Sequence, residues 1–351
     1  LEVKQSNLCS EITLPTNDER TAVCCLSSVN LEHFDEWSKD DKFIDDLVTM
    51  LDNVLEHFIE NAVDLNSLGG YNANYERFKK HIKEGKEGFT KAAYSAYRER
   101  SIGLGAMGFH SYLQSQNIPF EGIFSTGINY KLFKFIKGAA VLASRRLAVL
   151  RGEAPDISNS GLRNCHLLAV APNASSSIIC GGTSPSIEPI RANVFTHKTL
   201  SGSYKVRNKS LEKIINKKVT DPKKRKKVWQ DISDNRGSIQ ELKLFTKEEK
   251  EVFKTADEIN QIWVVEHAYK RQEFICQSQS VNLFFILPDS TQDQEQHNEY
   301  LQYVSDVHWY GANKLKSLYY FRSDAAKAAE NVNIKVPRIK LDEVECIACE
   351  G

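Results

Sequence analysis

The chain is 351 residues long, enough for one large α/β unit or two to three smaller domains. Lys plus Arg and Asp plus Glu each number 46, so the formal net charge is zero, with 41% hydrophobic and 26% charged residues. This balance fits a globular protein and gives no overall attraction to nucleic acid or an anionic membrane. No apolar run approaches the ~20 residues that span a bilayer, and the polar residues 1–20 hold no signal-peptide core. Eight cysteines without a secretory signal point to a reducing, cytoplasmic setting, where thiols are buried, catalytic or redox-active. The nine histidines show no ligand spacing, so no metal site is expected in the chain.

In chain order, the first clear element is a helix over 41–62, where Phe43, Ile44, Leu47, Leu51, Val54, Leu55, Phe58 and Ile59 recur at helical spacing. Further helices are predicted over 106–117 and 130–151, the second stopped by Gly152. The short apolar runs Leu167–Ala171 and Ser177–Cys180 read as buried strands. A cationic segment follows, with eleven Lys or Arg between Lys205 and Lys227. No aromatic side chain interleaves with these charges, so a solvated surface insertion over about 203–240 is preferred to a nucleic-acid patch. Thr246 and Glu249 have capping-box spacing and open a helical pattern through Val252, Ile259, Ile262, Trp263 and Ala268. Val281–Leu287 and Leu318–Phe321 read as strands on either side of a helix over 293–315. Strands alternating with long helices predict an α/β architecture with a mostly parallel sheet.

Several groups could carry chemistry. Asn7, Cys9 and Glu11 alternate, so an extended segment would turn an amide, a thiol and a carboxylate to one side. A thiol that can lose an electron, a carboxylate that can take a proton and an amide that can hold a hydroxyl form a catalytic set, though alternation alone is weak evidence. Pro172, Asn173, Ala174, Ser175 and Ser176 follow a predicted strand, where backbone N–H groups and hydroxyls can converge on phosphate oxygens. A serine run by itself is more simply a helix cap. The glycines of Arg100–Gly108 are read as packing and turn residues. Tyr319 and Tyr320, taken alone, are packing residues at a strand end. Cys346 and Cys349, at Cys-x-x-Cys spacing, can form a reversible disulfide. Cys165, Cys180 and Cys276 are read as buried structural thiols, and Cys25 as a bystander.

The stretch Ser6-Asn-Leu-Cys-Ser-Glu-Ile-Thr-Leu-Pro15 resembles the finger loop of class I ribonucleotide reductase large (alpha) subunits, of the aerobic Ia type known from bacteria and tailed phages. Ala22–Leu31, Arg100–Gly108, Gly161–Ser177, the Tyr319–Tyr320 pair and the Cys346/Cys349 tail are similar to family segments in the same order. The resemblance implies an α/β fold, the second half of a ten-stranded barrel with the catalytic cysteine on an inner loop. Residues 1–335 would form that half and 336–351 a flexible redox tail. It implies reduction of ribonucleoside diphosphates by thiyl-radical chemistry. Cys9 would be the radical carrier, Glu11 the base, Asn7 a substrate-holding amide and Cys24 one of a reducing pair. Tyr320 and Tyr319 would relay the oxidising equivalent, 172–176 would bind the diphosphate, and Cys346 with Cys349 would re-reduce the site. The implied partners are a small subunit carrying a di-iron/tyrosyl radical cofactor, an N-terminal half of the large subunit, and thioredoxin or glutaredoxin. Nucleotide effectors (ATP or dNTP) are expected mainly on that half, and no nucleic-acid or membrane partner is expected. A cobalamin-dependent reductase, or an inactive fragment or assembly subunit, is the alternative; the chain opens on Leu1, inside motif sequence, and is expected to lack preceding sequence.

Overall fold

The computed structural model describes residues 2–69, 73–199, 202–286 and 294–323. Strand β1 (Cys25–Asn30) leads through α1 (Phe34–Trp37) into α2 (Phe43–Ala62), and α3 (Tyr75–Lys80) and α4 (Thr90–Glu99) return the chain to β2 (Ile102–Met107). Helices α5 (Phe109–Ser115), α6 (Ile123–Arg151) and α7 (Ala174–Ile179) follow. The hairpin β3 (Val194–Thr199) and β4 (Gly202–Arg207) precedes α8 (Lys209–Lys218), α9 (Pro222–Asp234), α10 (Lys247–Val252) and α11 (Gln261–Gln272). The last elements are β5 (Leu283–Phe285), α12 (Gln294–Lys314) and β6 (Phe321–Ser323).

The organising feature is a run of five parallel segments. β1 pairs with β2 from Cys25↔Ile102 to Asn30↔Met107. Parallel bridges Leu104↔Leu168 and Val170↔Gln279 add the segments 167–170 and 277–281. The latter continues into β5, which pairs with β6; the Tyr319 N–H donates to Val281 O and the Leu283 N–H to Tyr320 O, both at 2.9 Å. Among the described residues this array does not close: β1 and β6 are its two ends. Parallel strands need crossover connections, and helices supply them between β1 and β2 and between β5 and β6.

β2 is buried along its whole length, and its glycines are what permit that. A Cβ at Gly105 would lie 2.5 Å from the Ala169 carbonyl oxygen, and one at Gly103 would lie 2.3 Å from Leu26 Cδ2. The main core joins Val48, Leu51, Leu55 and Ile59 of α2 to β2, α6 and α11. Fully buried Asp52 ties it together by accepting from Arg151 at 2.7 Å and Arg163 at 3.1 Å. A second core of Leu211, Ile215, Trp229, Ile232, Ile239 and Phe253 makes the cationic segment part of a folded module. Asn208 joins that module to the rest by donating to Gln114 Oε1 at 2.9 Å.

Four sequence expectations change. The helix predicted from 106 starts at Phe109, because 106–107 complete β2 and Gly108 turns the chain at φ +82°. Ser177–Cys180 is not a strand: Ser177–Ile179 lies in α7, and Ile179 is 85% exposed rather than buried. The Thr246–Glu249 capping box is present, but α10 ends at Val252 and a second box, Thr255–Glu258, intervenes before α11. Cys180 is exposed, not buried. Helices over 41–62, 130–151 and 293–315 are observed with shifted ends, as are the strands near 283 and 321.

Gly105→Ala tests the close strand approach. It is expected to lower stability by about 1–3 kcal/mol, read as a lower urea midpoint at unchanged slope; an unshifted midpoint would show that the strands can separate freely.

Candidate active site

Residues 7–12 form a tight loop rather than an extended segment, with Ser10 at φ +66°. The Asn7 N–H donates to Ile12 O at 3.2 Å, the Ile12 N–H to Asn7 Oδ1 at 3.0 Å, and the Ser10 N–H to Asn7 O at 3.1 Å. Asn7 is exposed and its amide oxygen is spent on closing this loop, whereas Cys9 is half-buried and Glu11 buried. The turn, not strand alternation, sets where the three side chains go.

The loop lies on the segment 277–281. The Ser278 N–H donates to Glu11 O at 2.9 Å. The Ser280 hydroxyl donates to Cys9 O and to the Glu11 carboxylate, the latter at 3.2 Å. The Ser317 hydroxyl donates to Ser10 O at 2.9 Å, and Gln277 Oε1 accepts from the Thr13 N–H at 3.3 Å. Residues 277–280 are 0% exposed, so each polar group needs a partner, and the loop provides several. These four serine and glutamine anchors were missed in the sequence. The signal available was the polar run Gln-Ser-Gln-Ser directly before an apolar strand.

A thiol–phenol–phenol chain starts at this loop. Cys9 Sγ donates to the Tyr319 hydroxyl at 3.4 Å. The Tyr319 and Tyr320 rings are 4.0 Å apart at 38°, and Tyr320 is 40% exposed. Burial, then the hydrogen bonds with Cys9 and Tyr320, push the Tyr319 phenol well above its ordinary value, so it stays protonated at neutral pH. Arg322 lies 4.4 Å over the Tyr320 ring.

Cys24 lies just before β1. Gln277 Nε2 donates to its sulfur at 3.2 Å, so one side chain touches both the Cys24 thiol and the loop. The sulfur sits over Gly103, where a Cβ would come within 3.2 Å of it. Desolvation pushes the thiol up to about 12, opposed by the Gln277 hydrogen bond.

Asn173 caps α7 at φ +52° and accepts from the Ser28 hydroxyl of β1 at 3.1 Å. Pro172 and Ala174 are half-buried, and Ser175 and Ser176 are exposed in the first turn. The segment leaves the carboxyl end of strand 167–170, where ligands of parallel sheets commonly bind. Cys346 and Cys349 lie outside the described residues. Among the described residues, no three His, Cys, Asp or Glu side chains cluster as a metal site requires, and no helix is long and apolar enough to cross a membrane.

The structure is an α/β fold that sets a cysteine-bearing loop on a run of parallel segments. The family model "Ribonucleotide reductase, barrel domain" matches residues 1–160 and 154–321, and the chain belongs to that family. It is 42% identical to the ribonucleoside-diphosphate reductase large subunit of Invertebrate iridescent virus 3, over all of this chain and 51% of that protein. A putative large subunit from Frog virus 3 is 40% identical over all of this chain and 56% of its own length. The Actinobacillus ureae class Id ribonucleotide reductase alpha subunit superposes with a TM-score of 0.73 at 36% identity, covering 92% of this chain and 53% of that one. The chain thus spans about half the length of these relatives.

Thiolate is the reactive form of cysteine, so iodoacetamide at pH 8 is expected to label exposed Cys180 well ahead of Cys24, with the gap closing in denaturant. Equal native rates, mapped by mass spectrometry, would contradict the desolvated thiol. Because the folded state holds the Cys24 proton more tightly, its contribution to stability is full below pH 9 and falls as pH rises toward 12.

Proposed function

We propose that this chain is the catalytic part of an enzyme that reduces ribonucleoside diphosphates to deoxyribonucleoside diphosphates by thiyl-radical chemistry. The carrying observation is the continuous path from exposed Tyr320 through Tyr319 to the Cys9 sulfur. A radical-generating small subunit, with a di-iron/tyrosyl cofactor, would supply the one-electron oxidant at Tyr320. Tyr320 then Tyr319 are oxidised in turn, each losing a proton with its electron, and Tyr319 takes the hydrogen atom of the Cys9 thiol. Cys9 removes the ribose 3′-hydrogen, Glu11 accepts the 3′-hydroxyl proton, the 2′-hydroxyl takes a proton from a thiol of the reducing pair and leaves as water, and once the sugar is reduced Glu11 returns its proton and Cys9 returns the hydrogen to C3′. Asn7 keeps the loop in shape and offers its amide to the substrate.

Cys24 and a second thiol supply the two electrons and close a disulfide. Cys346 and Cys349 reopen it by exchange, and thioredoxin or glutaredoxin reduces them in turn. The loop 172–176 holds the diphosphate through N–H groups and serine hydroxyls. The five parallel segments form the second half of a ten-stranded barrel. Its first half, the second thiol and the sites for ATP or dNTP effectors would lie on further sequence; that the chain spans only 51% of a relative's length supports this. A cobalamin-dependent reductase has no use for a tyrosine pair whose inner phenol is hydrogen-bonded to the cysteine, which favours the small-subunit reading.

In the assembled enzyme, Cys9→Ser is expected to abolish deoxynucleotide formation while leaving nucleotide binding intact, since a hydroxyl does not replace a thiol as hydrogen-atom carrier. Tyr319→Phe is expected to do the same with the fold preserved, as the ring stays and the phenol hydrogen goes. Turnover by either variant in a product assay would refute the path. Cys346→Ser with Cys349→Ser should block turnover driven by thioredoxin and spare turnover driven by dithiothreitol; equal loss with both reductants would make the tail structural.

A further inference from the structure

We propose that the cationic outer face of α8 and α9 is a docking site for the acidic end of this same chain, residues 341–351. The proposal does not depend on the chemistry assigned to Cys346 and Cys349.

Between Lys205 and Lys227 stand eleven cations and only two carboxylates, Glu212 and Asp221, although the whole chain is neutral. Both helices bury one apolar side, Leu211 and Ile215 on α8 and Trp229 and Ile232 on α9, and turn their lysines to solvent. Arg207 pairs with Glu212 and Lys218 with Glu249. Lys223, Lys224, Lys226 and Lys227 have no carboxylate partner among the described residues.

Helix stability does not account for this arrangement. The positive end of the helix dipole disfavours cations in the first turn, yet α9 opens Pro222-Lys-Lys-Arg with no acid in that turn. Asp221, the capping residue, is the one carboxylate there. A concentration of like charge that weakens its own helix calls for an anionic occupant.

The occupant is argued from the same chain. Residues 341–351 carry Asp342, Glu343, Glu345 and Glu350 and no cation. The described chain stops at Ser323, beside the root of the basic module. Arg322 is in register with Phe284, Arg191 lies 5.5 Å over the Phe284 ring, and both arginines act on the buried Glu188 carboxylate. Val194, three residues past Arg191, begins β3 of the module. The intervening residues 324–340 can reach about 55 Å when extended, against about 20 Å for the length of α9. Tethering makes such contact intramolecular, so weak individual ion pairs suffice. A nucleic-acid strand fits less well on this face, because α8 and α9 offer it no exposed ring to stack on: their one aromatic side chain, Trp229, is 5% exposed.

The test is carbodiimide cross-linking of the full chain, mapped by mass spectrometry, at about 0.05 M and about 0.5 M salt, a range over which screening shortens several-fold. Bonds between the lysines of α9 and the carboxylates of 341–351 are expected at low salt and a strong loss at high salt. The quadruple variant Lys223→Glu, Lys224→Glu, Lys226→Glu, Lys227→Glu should lose them. It should keep its helix content by circular dichroism, since acids suit the first turn at 223 and 224 and Glu is about as good a helix former as Lys at 226 and 227. Adding Asp342→Lys, Glu343→Lys and Glu345→Lys to that variant should restore cross-links between the same segments. Absence of these cross-links in the wild type, or their persistence in the quadruple variant, overturns the proposal. Binding of a single-stranded oligonucleotide by the ridge in the absence of any tail cross-link assigns the surface to nucleic acid and also overturns it.

Discussion

The bond from the Ser278 N–H to the Glu11 carbonyl, 2.9 Å long, is the contact on which the site depends. It attaches a loop with no regular structure of its own to the middle of a parallel array. Ser280 and Ser317 repeat the attachment at Cys9 and Ser10. Each such bond contributes only about 0.5–1.5 kcal/mol net, but an unpaired buried donor costs about 1–3 kcal/mol. The polar strand 277–280 and the loop therefore satisfy each other, and neither is well placed without its partner. A loop held this way has its geometry set by a sheet, which is more rigid than a loop supported by other loops.

That support also sets the spacing of the two thiols. Gln277 accepts from Thr13 and donates to Cys24, so a displacement at one end of the side chain is felt at the other. Gly103 provides the space in which the Cys24 sulfur sits. Desolvation keeps that thiol protonated. In the proposed reaction this is useful: a protonated thiol resists premature oxidation and alkylation, and carries the hydrogen that a two-electron reduction needs. Tyr319 is likewise held as a neutral phenol, which in that proposed reaction would let it exchange a hydrogen atom without resting as an anion.

What the sequence reveals about this arrangement follows from range. The α2 periodicity, the Thr246 cap and the Gly152 stop are local, and they were legible. Cys9, Glu11, Cys24 and the tyrosine pair were singled out by motif alone, which says nothing of how they meet; the structure adds the contact of Cys9 with Tyr319, and their roles belong to the proposal. β2 was not, because Ile-Gly-Leu-Gly-Ala-Met lacks β-branched residues beyond Ile102, and its glycines serve a neighbour far away in sequence, Ala169. α7 was misread because Ile178 and Ile179 imitate a buried strand while facing outward. Gln277 and the serines were passed over because polar residues rarely line a strand core; only the loop from the other end of the chain makes them affordable there. The closed, ten-stranded form was an inference from family likeness, and the array described here has two free ends.

Those two ends differ in a way that bears on function. An unpaired strand edge invites unwanted pairing unless something covers it. β1 carries Leu26, 40% exposed; this edge asks for a structural neighbour, as a barrel's other half would be. β6 instead follows directly on Tyr320 and begins with Phe321, 43% exposed, beside Arg322 stacked on the Tyr320 ring. A covalent half-barrel sealed over Tyr320 would close the entry for an oxidising equivalent from a separate subunit. The proposed chemistry therefore needs cover at β1 that is permanent and cover at Tyr320 that is supplied by a docking partner. The residues at the two edges differ along that line, with exposed Leu26 at the first and exposed Phe321 beside a tyrosine under an arginine at the second.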